Sequence, residues 1–180
     1  MWWPIVTVLA LGGCAQIFGI ETTTGIPDAR VDAANNAPDA RPCLGGDARS
    51  VDPATGACYV FFATPMIRDA ARTACQGLGA TTRLASIQSA SESAVITSLI
   101  GPSDAFVGGS DEAVEGTFVW DDGTPVQLTN WNTGEPNNAL GQFEEDCIVV
   151  IGSLNGVWND VPCAPPPINL GTYPFVCERD

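Results

Sequence analysis

The chain has 180 residues, of which 45% are hydrophobic, enough for one domain with a buried core and a flanking segment but not for two full domains. Its seven basic residues, all Arg, face 21 carboxylates, for a formal charge of −14, a balance opposed to nucleic acid, which is bound by neutralising phosphates. There is no His and no Lys, which excludes Ser-His-Asp and Cys-His catalysis, Schiff-base lysines, phosphate-loop lysines and His-ligated zinc.

Residues 1–13, Met1 to Gly13, are uncharged and mostly apolar. The stretch is too short to span a bilayer, which takes about 20 apolar residues, and matches the apolar core of a secretory signal. Leu11-Gly12-Gly13-Cys14 resembles the bacterial lipobox, in which small residues precede a lipidated Cys; the pattern departs from it in having no Lys or Arg near Met1. Lipidation of Cys14 leaves six of the seven cysteines: Cys43, Cys58, Cys75, Cys147, Cys163 and Cys177. No two form a CxxC pair, so three disulfides in an oxidising compartment are expected, with the pairing open among 15 possibilities.

Residues 14–42 read as a lipidated N-terminus and a disordered tether. Pro27-Asp-Ala-Arg30 recurs as Pro38-Asp-Ala-Arg41 in a run rich in Ala, Asp, Asn, Thr and Pro, without apolar periodicity. Such a run buries too little apolar surface to offset its ordering entropy.

A folded domain is expected over 43–180. Cys58-Tyr-Val-Phe-Phe-Ala63 predicts a strand, and Thr64-Pro65 the cap and first position of a helix whose face carries Ile67, Ala70, Ala71, Ala74, Cys75 and Leu78, ended by Gly77 and Gly79. Ser89 and Glu92 form a capping box for a second helix with Val95, Ile96, Leu99 and Ile100 on its apolar side, stopped by Gly101-Pro102. Strand-like runs follow at 105–107, 117–120, 147–151 and 173–177, and a long loop rich in Gly, Pro, Asn, Asp and Glu separates Trp120 from Cys147. Two helices followed by several strands indicate an α+β fold.

From Asp104 to Asp160 the chain holds eleven carboxylates and no basic residue. Like charges crowded into one loop region repel or take up protons unless a cation neutralises them. Oxygen-rich clusters suit calcium, which accepts six to eight oxygens from carboxylates, amides, backbone carbonyls and water, better than the stricter magnesium; the rival reading is a solubilising acidic surface. Glu135-Pro136-Asn137 sets a carboxylate and an amide on either side of a Pro, where a cis peptide that aims both at one point costs least. Asn159-Asp160 and Glu145 add an amide and two carboxylates from separate stretches.

Leu128-Thr-Asn-Trp-Asn-Thr-Gly-Glu-Pro-Asn-Asn138, then Glu145-Asp-Cys147, Val157-Trp-Asn-Asp-Val-Pro-Cys163 and Phe175-Val-Cys177-Glu178 resemble, in that order, the long form of the C-type lectin-like domain over nearly all of 43–180. The resemblance implies two helices with small antiparallel sheets, a long calcium-binding loop, and disulfides Cys43–Cys58, Cys75–Cys177 and Cys147–Cys163. It implies a sugar-site calcium held by Glu135, Asn137, Glu145, Asn159 and Asp160. The pairs Glu135/Asn137 and Glu145/Asn159 would hydrogen-bond two sugar hydroxyls, since a carboxylate only accepts and an amide also donates. In the family Glu-Pro-Asn goes with mannose-type sugars: mannose, glucose, N-acetylglucosamine and fucose. An accessory calcium is implied at Asp111, Glu115, Asn138 and Asp146, with Asn138 where many members carry Asp.

The chain departs from the family in an insertion around Ala139-Leu-Gly-Gln-Phe143, in Phe106-Val-Gly-Gly109, a core substitution, and in Ala164-Pro-Pro-Pro-Ile-Asn169, read as a stiff surface loop. Trp120, Trp131 and Trp158 are assigned to packing, and Phe143 is the better candidate for an exposed contact. The expectation is a calcium-dependent carbohydrate-binding module, not an enzyme, anchored by lipid on a bacterial outer membrane or cell surface. Its partner is a glycan or a surface protein, with no nucleic acid and no membrane contact beyond the anchor. A protein-recognition module using calcium only structurally is the alternative; a glycoside hydrolase needs two carboxylates across a cleft, and these are committed to a metal.

Overall fold

The computed structural model describes residues 43–139, 144–164 and 171–180. The signal, the tether, Cys14, Phe143 and the proline-rich stretch 165–170 lie outside the described residues. In chain order the elements are β1 (Ala48–Val51), β2 (Cys58–Met66), α1 (Arg68–Gly77), β3 (Thr82–Leu84), α2 (Ala90–Ile100), β4 (Asp104–Ser110), β5 (Cys147–Ile151), a 3-10 turn (Gly152–Leu154), β6 (Val157–Val161) and β7 (Tyr173–Arg179).

The strands form one mixed sheet in the order β1-β2-β7-β4-β5-β6, with β3 also on β7, where small antiparallel sheets were expected. The reason is the last strand. β7 runs antiparallel to β2 and β3 but meets β4 in parallel at Phe106–Phe175, so it joins the two halves. A parallel pair needs a long crossover, and the chain from 111 to 172 supplies it.

Alternation along the strands divides the core. Tyr59 and Phe61, Ala105 and Val107, Ile148 and Val150, and Val176 pack with Ile96 and Ile100 of α2. Cys58 and Val60, Phe106, Cys147 and Val149, and Phe175 and Cys177 pack on the other side with Ala71 and Cys75 of α1. Both faces of the sheet are covered, which is why β5 and the apolar stretches of β2 and β7 read as continuous apolar runs.

The second helix begins at its capping box, with Ser89 Oγ accepting from the Glu92 N–H and Glu92 Oε2 accepting from the Ser89 N–H. The first helix starts later than expected. Thr64-Pro65 stays extended because β2 runs on to pair Met66 with Tyr173, and Pro65 falls in an irregular stretch of that ladder. Ile67 is the N-cap, with no side-chain cap bond, and the Arg68 N–H finds the Cys163 carbonyl at 3.1 Å instead. The buried positions of α1 are Arg68, Ala71 and Cys75, while Ala70 and Leu78 are exposed.

The run at 117–120 forms only isolated bridges, Val119 pairing with Ser110 and Pro125, and forms no strand. Turns at Gly116 and Gly123, both at positive φ, close it at each end. Three disulfides, Cys43–Cys58, Cys75–Cys177 and Cys147–Cys163, have the expected pairing. No helix among the described residues is long and apolar enough to cross a membrane.

Candidate functional site

The long loop is held by aromatic packing and by two backbone clamps. Trp158 on β6 is fully buried and meets Trp120 and Trp131 edge to face at 5.8 and 5.7 Å, while Phe118 leans on Trp131 at 4.9 Å. The Trp158 N–H donates to the Asn130 carbonyl, and the Asn132 N–H donates back to the Trp158 carbonyl, both at 2.8 Å. The three tryptophans therefore pack and hold the loop, as expected, and the clamps bring Glu135 and its neighbours against β6.

Asp160, on β6 and 2% exposed, is the centre of this contact. Its Oδ2 accepts the backbone N–H groups of Asn137 and Asn138 at 2.9 and 2.8 Å. The Glu135–Pro136 peptide is cis. Burial, then the facing Asp160 carboxylate and the charge of Glu145, raise the Glu135 carboxyl above its ordinary range, with the Asn137 side chain pulling the other way. Glu145 is buried beside Cys147, and its Oε2 accepts the Ala139 N–H. Asn159 is half-buried and stands on the opposite face of β6 from Asp160, opposite Val149, where Asp160 is opposite Ile148.

A second group lies where β4 ends. One oxygen each of Asp111, Glu115 and Asp146 come within 4.8 Å of one another, the one such trio of possible metal ligands among the described residues. Glu135, Glu145 and Asp160 share a neighbourhood without meeting that closely. The Asp111 N–H donates to the Asp146 carbonyl at 3.1 Å, which ties the end of β4 to the start of β5. Burial first, then the charges of Glu115 and Asp146, push the Asp111 carboxyl up to about 6, against the Gly116 N–H that donates to Oδ2. Asp146 is raised by burial and by Glu115, Glu144 and Glu112.

Asn138 joins the two groups. Its amide donates to Glu115 Oε1 at 3.1 Å and Glu144 Oε2 at 2.7 Å, its side-chain oxygen accepts the Glu145 N–H at 2.7 Å, and its backbone N–H reaches Asp160. It sits at φ 47°, a left-handed conformation that Asn adopts more readily than most residues. Its place in the sequence marked it as an accessory ligand; nothing there marked it as the link.

Three of the eleven loop carboxylates have other tasks. Asp121 pairs with the buried Arg68 at 2.6 Å and with Arg72 at 3.4 Å, and Arg68 also donates to the Gly108 carbonyl at 3.0 Å. Asp122 faces Arg83 at 3.8 Å and accepts from Thr124, and Asp104, at the start of β4, is raised by burial against the pull of the Gly152 backbone. The role of Arg68 is not legible in the sequence, because a basic residue at a helix start carries no local sign of a carboxylate 53 positions on.

The donor set fits a hard cation. Glu135 Oε2, Asp160 Oδ1 and Asp111 Oδ1 are buried oxygens with no hydrogen-bond partner. A buried carboxylate oxygen is satisfied by a donor, by taking up a proton or by a cation, and all the ligating atoms here are oxygens, as calcium prefers.

Residues 64–179 match the family described as the lectin C-type domain. Over 106 residues the chain is 43% identical to the mouse low affinity immunoglobulin epsilon Fc receptor, covering 59% of this chain and 30% of the receptor, so it spans under a third of that relative. The cow C-type carbohydrate-recognition domain of CD23, crystallised in the presence of a GlcNAc2Man3 oligosaccharide, is 36% identical with a TM-score of 0.59, over 68% of this chain and 87% of that one. A calcium-independent type II antifreeze protein is 27% identical with a TM-score of 0.61, over 76% and 94% of the two chains. With its family match, its three disulfides and its mixed sheet between two helices, this chain belongs to the C-type lectin domain family.

Proposed function

We propose that the chain is a calcium-dependent carbohydrate-binding module for mannose-type sugars and not an enzyme. The observation that carries this reading is the pair of buried oxygens without donors, Glu135 Oε2 and Asp160 Oδ1, set beside Asn137. Glu135, Asn137, Glu145, Asn159 and Asp160 would hold the ion, and Asp111, Glu115, Asn138 and Asp146 an accessory one. Calcium, when bound, takes lone pairs from two neighbouring sugar hydroxyls and fixes their direction. The chain's own part is to pair each hydroxyl with one acceptor and one donor: Glu135 with Asn137, and Glu145 with Asn159. That arrangement selects a hydroxyl geometry, because exchanging acid and amide reverses donor and acceptor. A single monosaccharide buries few atoms, so useful avidity requires several copies; a lipid on Cys14 and the tether to residue 42 would supply them on a bacterial surface.

Retention on a mannose matrix with release by a chelator is the expected result, and retention that survives chelation refutes the calcium mechanism. A second reading is a protein-recognition module with only structural calcium; the likeness to a protein named as an antifreeze protein supports it only to the extent that this fold also serves tasks other than sugar binding. The double change Glu135→Gln with Asn137→Asp separates the two: sugar preference follows the swap, and affinity for a protein ligand does not.

A further inference from the structure

Eight of the loop carboxylates gather around Asn138 and β6: Glu135, Glu145 and Asp160, the trio Asp111, Glu115 and Asp146, and the exposed Glu112 and Glu144. None of the ion pairs among the described residues involves Glu112, Glu115, Glu144 or Asp146. No basic residue occurs anywhere between Arg83 and Arg179. At the base of the patch Asp160 is 2% exposed, and its Oδ1, on a carboxylate that faces Glu135, has no donor, which leaves a place there for a cation. Two divalent ions would cancel four of the eight charges and leave four facing any bound glycan.

We infer that this site selects glycans by charge as well as by hydroxyl geometry: it accepts mannose-type sugars whose neighbouring groups are neutral or bear an ammonium, and rejects sialylated, sulfated or uronic-acid-bearing ones. The inference rests on the proposed sugar site and adds the class of glycan. The field does not depend on a single contact. Four charges at about 10 Å in water change the affinity for a unit charge about two-fold at physiological salt, where the screening length is about 8 Å. At about 10 mM salt the screening length is about 30 Å and the factor is about seven. An ammonium and a carboxylate move in opposite directions, so the ratio between them is about five-fold and about fifty-fold respectively.

The test uses the full chain in excess calcium and three α-mannosides that differ only at the end of a short aglycone, which carries an ammonium, a hydroxyl or a carboxylate. Affinity should fall in that order, with a spread that widens as salt is lowered, and Glu112→Gln with Glu144→Gln should narrow the ratio between the charged probes. Equal binding of all three at low salt, or the reverse order, overturns the charge selection while leaving the sugar site standing. Failure to bind the hydroxyl probe overturns the sugar site and this inference with it.

Discussion

Replacing Asp160 by Asn separates the role of this side chain in the fold from its role toward a cation. The variant keeps an oxygen in place to accept the Asn137 and Asn138 N–H groups, now at 2.9 and 2.8 Å. It weakens two charge-assisted bonds but also removes the charge that Glu135 faces. The two effects oppose each other, so metal-free stability should change by about 1 kcal/mol or less. Calcium is another matter, since the substitution takes away an anionic, buried ligand whose Oδ1 has no other partner. At a hundredfold excess over its dissociation constant a single ion stabilises the native state by about 2.7 kcal/mol. For a domain of this size that is a rise of about 10 °C in Tm. Thermal unfolding followed by circular dichroism, in chelator and in excess calcium, should show that rise in the parent and little of it in Asp160→Asn. An undiminished calcium shift in the variant, or no shift in the parent, refutes the reasoning.

Burial first, then the charges of Asp180 and Glu92, push Glu178 on β7 from about 4.5 up to about 7, against the Ser86 N–H and Arg83. The native state then holds this proton more tightly than the unfolded chain, so its contribution to stability declines as pH rises from about 4.5 to about 7 and levels off above. Urea denaturation across that range should reveal the slope, and Glu178→Gln should flatten it and be the more stable form at pH 8; a parent that gains stability over the same range contradicts the sign. Changing Cys147 and Cys163 together to Ser opens a loop of 16 residues and should cost about 3 kcal/mol in guanidinium denaturation. The same change at Cys75 and Cys177, which close 102 residues, should cost about 4.7 kcal/mol, and a smaller loss at the longer bridge counts against the chain-entropy account. Glu135→Gln with Asn137→Asp should weaken retention on a mannose matrix and shift preference toward sugars of a different hydroxyl geometry, checked by competitive elution with a panel of monosaccharides; unchanged preference rules out the donor and acceptor argument.

Much of the fold was legible locally. The capping box at Ser89 and Glu92 and the apolar face at Ile96 and Ile100 depend on neighbours within a turn or two, and the structure has them as read. The start of α1 is not legible locally: Thr64-Pro65 is a good helix opening in isolation, whereas pairing of Met66 with Tyr173, over a hundred residues on, keeps it extended. β3 and β6 escaped notice for a similar reason. Thr82–Leu84 is too short to show alternation, and Trp158, Asn159 and Asp160 form a strand because β5 lies beside them.

The sequence by itself determined the chemistry available to this protein: oxygen donors in excess, no imidazole, no amine, and paired acid and amide groups at Glu135–Asn137 and Asn159–Asp160. Those are properties of residue type and short spacing, which survive in any conformation. Only the tertiary structure decided which of the eleven carboxylates act together. Arg68, buried at the head of α1, withdraws Asp121, Arg83 faces Asp122, Asp104 stands apart at the start of β4, and Asn138 ties Glu115, Glu144, Glu145 and Asp160 together within the patch formed by the other eight. Charge is additive along a chain, but neutralisation depends on distance in space, and no local pattern encodes that distance.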